Sequence, residues 1–118
     1  MTMMLVVLMV SCGKQSSNMV EITTPYGTMR ALLYDDTPLH KENFLRLAED
    51  GAYDSLLFHR VIRGFMVQGG DPNSLHADRS VKLGSAEIGE PIKSEILYPK
   101  HYHKRGALAA ARKGDSVN

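Results

Sequence analysis

The chain has 118 residues, 43% of them hydrophobic and 23% charged, which suits one small globular domain and is too short for two. Its 14 basic and 13 acidic residues leave a formal net charge of +1, and no stripe of Lys or Arg predicts a nucleic-acid-binding surface. The single cysteine, Cys12, excludes an intrachain disulfide.

The first predicted element is a short apolar segment, Met3–Val10, followed by Ser11 and Cys12. It is too short to cross a bilayer, which takes about 20 apolar residues, but it has the length of a signal-peptide hydrophobic region. A Cys after a small residue at the end of such a segment resembles the lipobox of bacterial lipoproteins. This resemblance implies a signal peptide over residues 1–12, lipidation of Cys12 and a polar tether over residues 13–18.

The protein would then be lipid-anchored in the bacterial cell envelope and would face the periplasm. The alternative interpretation is that Met4–Val10 forms a first strand and that Cys12 is a small buried residue.

Two β-prone runs follow, Met19–Thr24 and Thr28–Tyr34. The intervening Pro25-Tyr26-Gly27 has the length and residue types of a hairpin loop. The sequence therefore predicts an antiparallel hairpin at the start of the domain.

A helix is predicted next, opened by Thr37 as the N-cap and Pro38 at the first helical position. It continues to Asp50, and Gly51 suits the left-handed residue that follows a helix. Apolar residues at helical spacing, Phe44, Leu47 and Ala48, predict one packing face.

The block Phe58–Asn73 (FHRVIRGFMVQGGDPN) is the most informative part of the chain. It predicts a strand over Phe58–Ile62, a short break, a strand over Phe65–Gln68 and a turn at the Gly-Gly-Asp-Pro sequence. Arginine is almost never fully buried unless it is paired, so Arg60 is expected at a surface with a functional role.

Beyond this block, residues Asp71–Pro91 predict a long loop, and Ile92–Leu97 predicts a short strand. His101 and His103 have the spacing of metal ligands but lack accompanying Cys or carboxylate residues, so no metal site is expected. With Lys104 and Arg105 they are interpreted as a solvated surface loop.

The block resembles the signature of the cyclophilin-type peptidyl-prolyl cis-trans isomerases. The helix over residues 37–51, the Tyr53-Asp54 pair and the segment His103–Ala111 also fit that family in the correct order, so the resemblance covers Met19–Asn118. It implies a mainly β fold with α, namely an incomplete cyclophilin-like antiparallel β-barrel with one capping helix. Because family members continue beyond Asn118, residues 19–118 are expected to be the N-terminal portion of the domain.

The resemblance also implies a peptide-binding groove and the role of each matching residue. The catalytic guanidinium is Arg60, and Phe65 and Met66 line a proline pocket. Gln68 hydrogen-bonds the substrate backbone, and Ala111 contributes its own backbone. Arg112 stands where the family commonly has Asn and is retained as a binding residue through its main chain. The implied ligands are proline-containing polypeptides and, for the full-length protein, cyclosporin-like compounds.

Isomerisation breaks no covalent bond, so no nucleophile, metal or cofactor is expected. Without the rest of the block, Arg60 would be an ordinary ion-paired strand residue, and Phe65 and Met66 could belong to a core. His59 is interpreted as a hydrogen-bonded structural histidine, since the reaction transfers no proton. Three functions remain open: an isomerase that assists folding of envelope proteins, of which this chain is a truncated member, a non-catalytic proline-peptide-binding or chaperone module, and an inert fragment. Residues 1–118 alone are expected to be a poor isomerase, since the resemblance places the opposite wall of the proline pocket beyond Asn118.

Overall fold

The computed structural model describes residues 18–112. The predicted signal peptide, Cys12 and most of the predicted tether lie outside the described residues. In chain order the elements are β1 (Met19–Thr24), β2 (Gly27–Leu32), α1 (Pro38–Glu49), β3 (Arg60–Ile62), β4 (Met66–Gln68) and a 3-10 turn at Pro72–Ser74. They form two separate two-stranded antiparallel sheets and one helix, with no closed barrel over residues 18–112.

Strand β1 has the predicted bounds. Strand β2 ends at Leu32, two residues before its predicted end at Tyr34. Across its exposed face, Arg30 donates to the Glu21 carboxylate at 3.0 Å. The turn is closed by Thr24, whose hydroxyl donates to the Gly27 carbonyl (2.9 Å) and accepts from the Tyr26 N–H (3.1 Å).

Asn18, the last residue of the predicted tether, is hydrogen-bonded to the end of this hairpin and to Asp35. Its carbonyl accepts from the Leu33 N–H at 2.7 Å, and its side-chain amide donates to the Asp35 carboxylate at 2.9 Å. Residue 18 is therefore structured by the first sheet.

The N-terminus of α1 is capped from a distant part of the chain. Thr37 accepts the first intrahelical hydrogen bond through its carbonyl (from Lys41 N–H, 3.0 Å), but its side chain caps no helix N–H. Instead the Glu95 carboxylate accepts from the N–H groups of Leu39 (3.1 Å) and His40 (2.8 Å). At the other end Gly51 has a φ of 72°, which confirms the predicted left-handed residue.

The predicted strand over Ile92–Leu97 is wrong, since these residues pair with no strand in the described part of the chain. The pattern of apolar residues could not reveal that Glu95 caps the N-terminus of α1 or that Ile96 is 69% exposed. The predicted long loop over residues 71–91 is confirmed, apart from the 3-10 turn.

Burial is concentrated at two places. Leu47 on α1, 7% exposed, is the one buried apolar residue among residues 18–112, and Phe44 packs near it against Tyr53, with ring centroids 5.0 Å apart. The second place is polar: Asp71 is 2% exposed and Ser74 is completely buried. None of the helices formed by residues 18–112 has both the length and the apolar character to cross a membrane.

Candidate functional site

The candidate site is built on the hairpin of β3 and β4. Both strands are shorter than predicted, since β3 begins at Arg60 and β4 at Met66. Arg60 pairs with Gln68 and Ile62 with Met66 across the two strands. Because side chains alternate along a strand, these four residues share one face of the hairpin, and Val61 and Val67 occupy the other.

Arg60 lies at the surface, as predicted, and its closest polar partner is on the facing strand. Its Nη1 donates to the Gln68 side-chain oxygen at 3.4 Å. The guanidinium carries several N–H donors, and Gln68 accepts from only one of them, so the contact orients the group and leaves donors available. The structure therefore brings the proposed catalytic residue and the proposed backbone-binding residue together.

The two proposed pocket residues differ in their environment. Met66 is half-buried on the face of Arg60, whereas Phe65 lies in the turn before β4 and is 74% exposed. The turn is closed by the Phe65 N–H, which donates to the Ile62 carbonyl at 3.1 Å, with Gly64 at a φ of 72°. Phe65 and Met66 are thus adjacent, but Phe65 is not part of a core.

The opposite face of the hairpin is also open. Strand alternation predicts that Val67 faces a core, opposite to Met66 and Gln68, but Val67 is 57% exposed and its cross-strand partner Val61 is 67% exposed. This expectation is wrong for the described residues, because no element of residues 18–112 packs on that face.

The remaining predicted groove residues, Ala111 and Arg112, lie at the end of the described segment and are exposed. No hydrogen bond of Ala111 to the hairpin occurs within residues 18–112. The structure therefore leaves their placement beside Arg60 a prediction.

A buried polar network holds the two ends of the hairpin together, and the sequence reading missed it. The Ser74 hydroxyl donates to the Asp71 carbonyl (2.6 Å) and accepts from the N–H of Leu57 (3.0 Å), which lies upstream of β3. The Asp71 carboxylate accepts from the N–H groups of Asn73 (2.8 Å) and Gly84 (2.5 Å). The local signal of this network is the Asp71-Pro72 sequence, which is typical of the start of a helical turn.

The Gly84 N–H, followed by that of Asn73, holds the pKa of the Asp71 carboxyl below its ordinary value despite burial. The ring of His59 lies close by, since a Cβ on Gly84 would stand 3.6 Å from it. Both ring nitrogens of His59 are buried and have no hydrogen-bond partner among the described residues. The prediction of a hydrogen-bonded His59 is therefore wrong for this part of the chain.

His101 contacts a carboxylate and an aromatic ring. Its Nε2 lies 2.8 Å from the Asp36 carboxylate, and its ring stacks on Tyr34 at 3.8 Å. Across residues 18–112, no group of three His, Cys, Asp or Glu side chains is arranged to hold a metal ion. His103, the second histidine of the metal-like spacing, is exposed.

An open cleft of about 500 Å³ lies elsewhere, beside α1. It is bounded by one side of the helix and by the loop over residues 89–93, with both acidic and basic side chains. It contains none of the predicted site residues.

Comparison with known proteins identifies the family that this chain matches. A family model described as cyclophilin type peptidyl-prolyl cis-trans isomerase/CLD matches residues 19–118. A peptidyl-prolyl cis-trans isomerase of Helicobacter pylori is 40% identical over 99 residues, which cover 77% of this chain and 56% of the relative. The isomerase CYP18-1 of Arabidopsis thaliana is 36% identical over 100 residues, which cover 84% of this chain and 59% of the relative.

A longer relative, the peptidyl-prolyl isomerase CWC27 of Mycosarcoma maydis, is 36% identical over 104 residues, 87% of this chain and 20% of the relative. The chain thus spans little more than half the length of the shorter relatives and a fifth of the longer one. No solved structure matches the chain.

Proposed function

Because the chain belongs to the cyclophilin-type peptidyl-prolyl cis-trans isomerases, we propose that it accelerates rotation about the peptide bonds that precede proline in other polypeptides. The observation that carries this proposal is the Arg60–Gln68 pair on the exposed face of the β3–β4 hairpin. The family binds proline-containing peptides and cyclosporin, and we propose the same ligand classes for this protein.

The chemistry requires a catalyst that favours the twisted peptide bond over both planar forms. Amide resonance sets a rotation barrier of roughly 18–20 kcal/mol. In the twisted state the prolyl nitrogen becomes pyramidal and regains a lone pair, which an N–H group of Arg60 can meet as a donor. The guanidinium stays protonated at any working pH, so this donor is always available.

The energetic demand is modest. Uncatalysed isomerisation takes about 10–100 s, and raising the rate to about 10 per second requires only roughly 3–4 kcal/mol of transition-state stabilisation. One oriented guanidinium can supply an amount of this size. Gln68 contributes in two ways: its side-chain oxygen accepts from Arg60, and its amide can bind a substrate carbonyl.

A protease-coupled assay with a chromogenic proline peptide tests this function. We expect Arg60→Ala to lower kcat/KM by about 10²–10³, and Arg60→Lys to restore little, because an ammonium cannot copy the planar fork. The matched control is Arg63→Ala, which removes an exposed guanidinium from the turn of the same hairpin. Equal activity of Arg60→Ala and Arg63→Ala would refute the assignment of Arg60.

We further propose that the protein is lipid-anchored through Cys12 and assists the folding of envelope proteins. This proposal is supported by the sequence alone, namely the apolar Met3–Val10 followed by Ser11-Cys12. Stable anchoring takes more than one acyl chain. Mass spectrometry of the mature N-terminus should find a lipid-modified Cys12, and Cys12→Ser should leave the membrane fraction. Unchanged fractionation of Cys12→Ser would contradict this proposal.

A further inference from the structure

The β3–β4 hairpin has few interactions of its own at the end that carries the candidate site. Each strand has only three residues, and an isolated two-stranded hairpin is marginally stable in water. Arg60 and Gln68 form the last pair, at the end opposite to the turn, and their side-chain hydrogen bond is long, at 3.4 Å. The separation of the strands at this open end, and with it the position of the Arg60 guanidinium, therefore depends on contacts beyond the pair.

The Ser74 hydroxyl joins the two sides of the hairpin just beyond this pair. Leu57 lies three residues before Arg60, and Asp71 lies three residues after Gln68. Continuing the register of the hairpin therefore brings Leu57 opposite Asp71. The Ser74 hydroxyl accepts from the Leu57 N–H at 3.0 Å and donates to the Asp71 carbonyl at 2.6 Å. We call this link of two hydrogen bonds the Ser74 bridge; it ties the chain that enters β3 to the chain that leaves β4.

The Ser74 bridge is shielded from water. Ser74 is completely buried and Asp71 is 2% exposed, so water cannot replace either hydrogen bond without opening the structure. The Ser74 N–H also donates to the Asp71 carbonyl, at 2.9 Å, which fixes Ser74 relative to that carbonyl. A second contact closes the same end, since a Cβ on Gly69 would stand 3.1 Å from the Phe58 ring. The backbone after β4 thus lies against an aromatic ring from the chain that leads into β3.

We propose that Ser74 is a positioning residue for Arg60, because its bridge sets the separation of β3 and β4 where Arg60 faces Gln68. The proposal rests on the proposed function, which gives the guanidinium its role. Ser74 itself is completely buried and meets no substrate. Its effect is geometric: a donor stabilises the twisted peptide bond only if it is held where the prolyl nitrogen regains its lone pair. Displacement of a catalytic group by about 1 Å can cost about 100-fold in rate.

Loss of the bridge should have a specific kinetic signature. Arg60 acts mainly in the twisted state, so Ser74→Ala should lower kcat about tenfold and change KM less than twofold. The loss should act through Arg60: in an Arg60→Ala protein, the further change Ser74→Ala should lower kcat/KM less than twofold. A merely structural role gives a different result, because a smaller folded fraction lowers activity by the same factor in both backgrounds.

The test uses the full-length protein, with Ser80→Ala as the matched control. The Ser80 hydroxyl is also hydrogen-bonded, to the Asp78 carboxylate, but it is exposed and lies outside the bridge. Gly69→Ala is a second variant: it leaves the Ser74 hydroxyl in place and forces the same end apart by placing a methyl group 3.1 Å from the Phe58 ring. Amide hydrogen exchange provides a readout independent of activity. It should become about tenfold faster in β3 and β4 of Ser74→Ala and of Gly69→Ala, and stay unchanged in β1 and β2.

Faster exchange confined to β3 and β4, together with a loss of kcat that vanishes in the Arg60→Ala background, supports the proposal. Exchange and kcat equal to those of Ser80→Ala overturn it, as does a loss of activity that persists in the Arg60→Ala background. If Ser74→Ala does not fold, Gly69→Ala decides by the same two readouts. If the unchanged full-length protein does not accelerate isomerisation, the proposed function fails and the catalytic effect of Ser74 with it, while amide exchange still decides whether Ser74 holds this end of the hairpin.

Discussion

At the scale of single residues, the most demanding environment is that of Asp71 and not that of Arg60. Arg60 is exposed and donates to the Gln68 side chain, whereas Asp71 is 2% exposed and accepts hydrogen bonds from two backbone N–H groups. Removing this buried acceptor takes the partner from both N–H groups at once, which costs more than the average hydrogen bond contributes. The geometry of the hairpin therefore depends on a side chain that does no chemistry.

We expect Asp71→Ala to lower the midpoint of thermal unfolding by about 5–10 °C, because the Asn73 and Gly84 N–H groups lose their acceptor. Circular dichroism during heating measures the change. The matched control is Asp78→Ala: Asp78 accepts from Ser80 two residues on, as Asp71 does from Asn73, but it is exposed. The role of Asp71 would be refuted by equal midpoints for the two variants.

The residue scale also shows what sequence can and cannot predict. The surface position of Arg60 could be predicted because a charged residue within an apolar strand is visible in a short stretch of sequence. Asp71 and Ser74 looked like an ordinary turn, since their partners Leu57 and Gly84 lie 17 and 13 residues away. Their burial depends on how the chain returns on itself, which no local pattern records.

At the scale of elements, α1 also combines features that the sequence predicts with one that it does not. Its length, its proline at the first turn and its Gly51 terminus follow from capping rules that act within the helix. The hydrogen-bond acceptor at its N-terminus does not follow from these rules, because Glu95 lies 55 residues from His40 in the chain. The failed strand over Ile92–Leu97 has the same cause: a strand needs a partner, and here the segment instead supplies a carboxylate to the helix.

The Glu95 cap predicts a pH dependence. Burial alone would raise the pKa of Glu95, but the hydrogen bonds from His40 and Leu39 outweigh it and hold the pKa below its ordinary value of 4.5. A carboxyl with a depressed folded pKa contributes stability above its ordinary pKa, and that contribution is lost as pH falls through the folded value.

Glu95→Gln should therefore lower the free energy of unfolding by about 1 kcal/mol at pH 7, and the difference from the unchanged protein should shrink as pH falls below the ordinary pKa of 4.5. Urea denaturation at several pH values provides the measurement. Glu90→Gln, in the exposed loop before it, is the control. A difference that stays the same at every pH would show that the cap does not act through its charge.

At the scale of the whole molecule, residues 18–112 leave much apolar surface in solvent. The two sheets are separate, and exposed apolar side chains include Leu32 (63%), Val61 (67%) and Phe65 (74%). Exposed strands with apolar side chains pair readily with other chains. The hairpin with the candidate site is thus also the part most open to association.

We expect the 118-residue chain to bind a hydrophobic dye and to self-associate as its concentration rises. Replacing Val61 and Val67 together by Thr should reduce both effects, since Thr keeps the β preference but removes apolar surface. Thr23→Ser, at an exposed position of β1, serves as the control. Sedimentation velocity across a concentration series decides this, and a dye-free monomer at high concentration would contradict the expectation.

The central claim, that the Arg60–Gln68 hairpin promotes rotation about proline peptide bonds, is tested most directly by exchange NMR spectroscopy of a short proline peptide mixed with the full-length protein. This method observes cis and trans peptide without a coupling protease. The account predicts cis–trans exchange cross-peaks that depend on the amount of protein, persist in Arg63→Ala and disappear in Arg60→Ala. Exchange no faster than in peptide alone, or exchange that survives in Arg60→Ala, would contradict it.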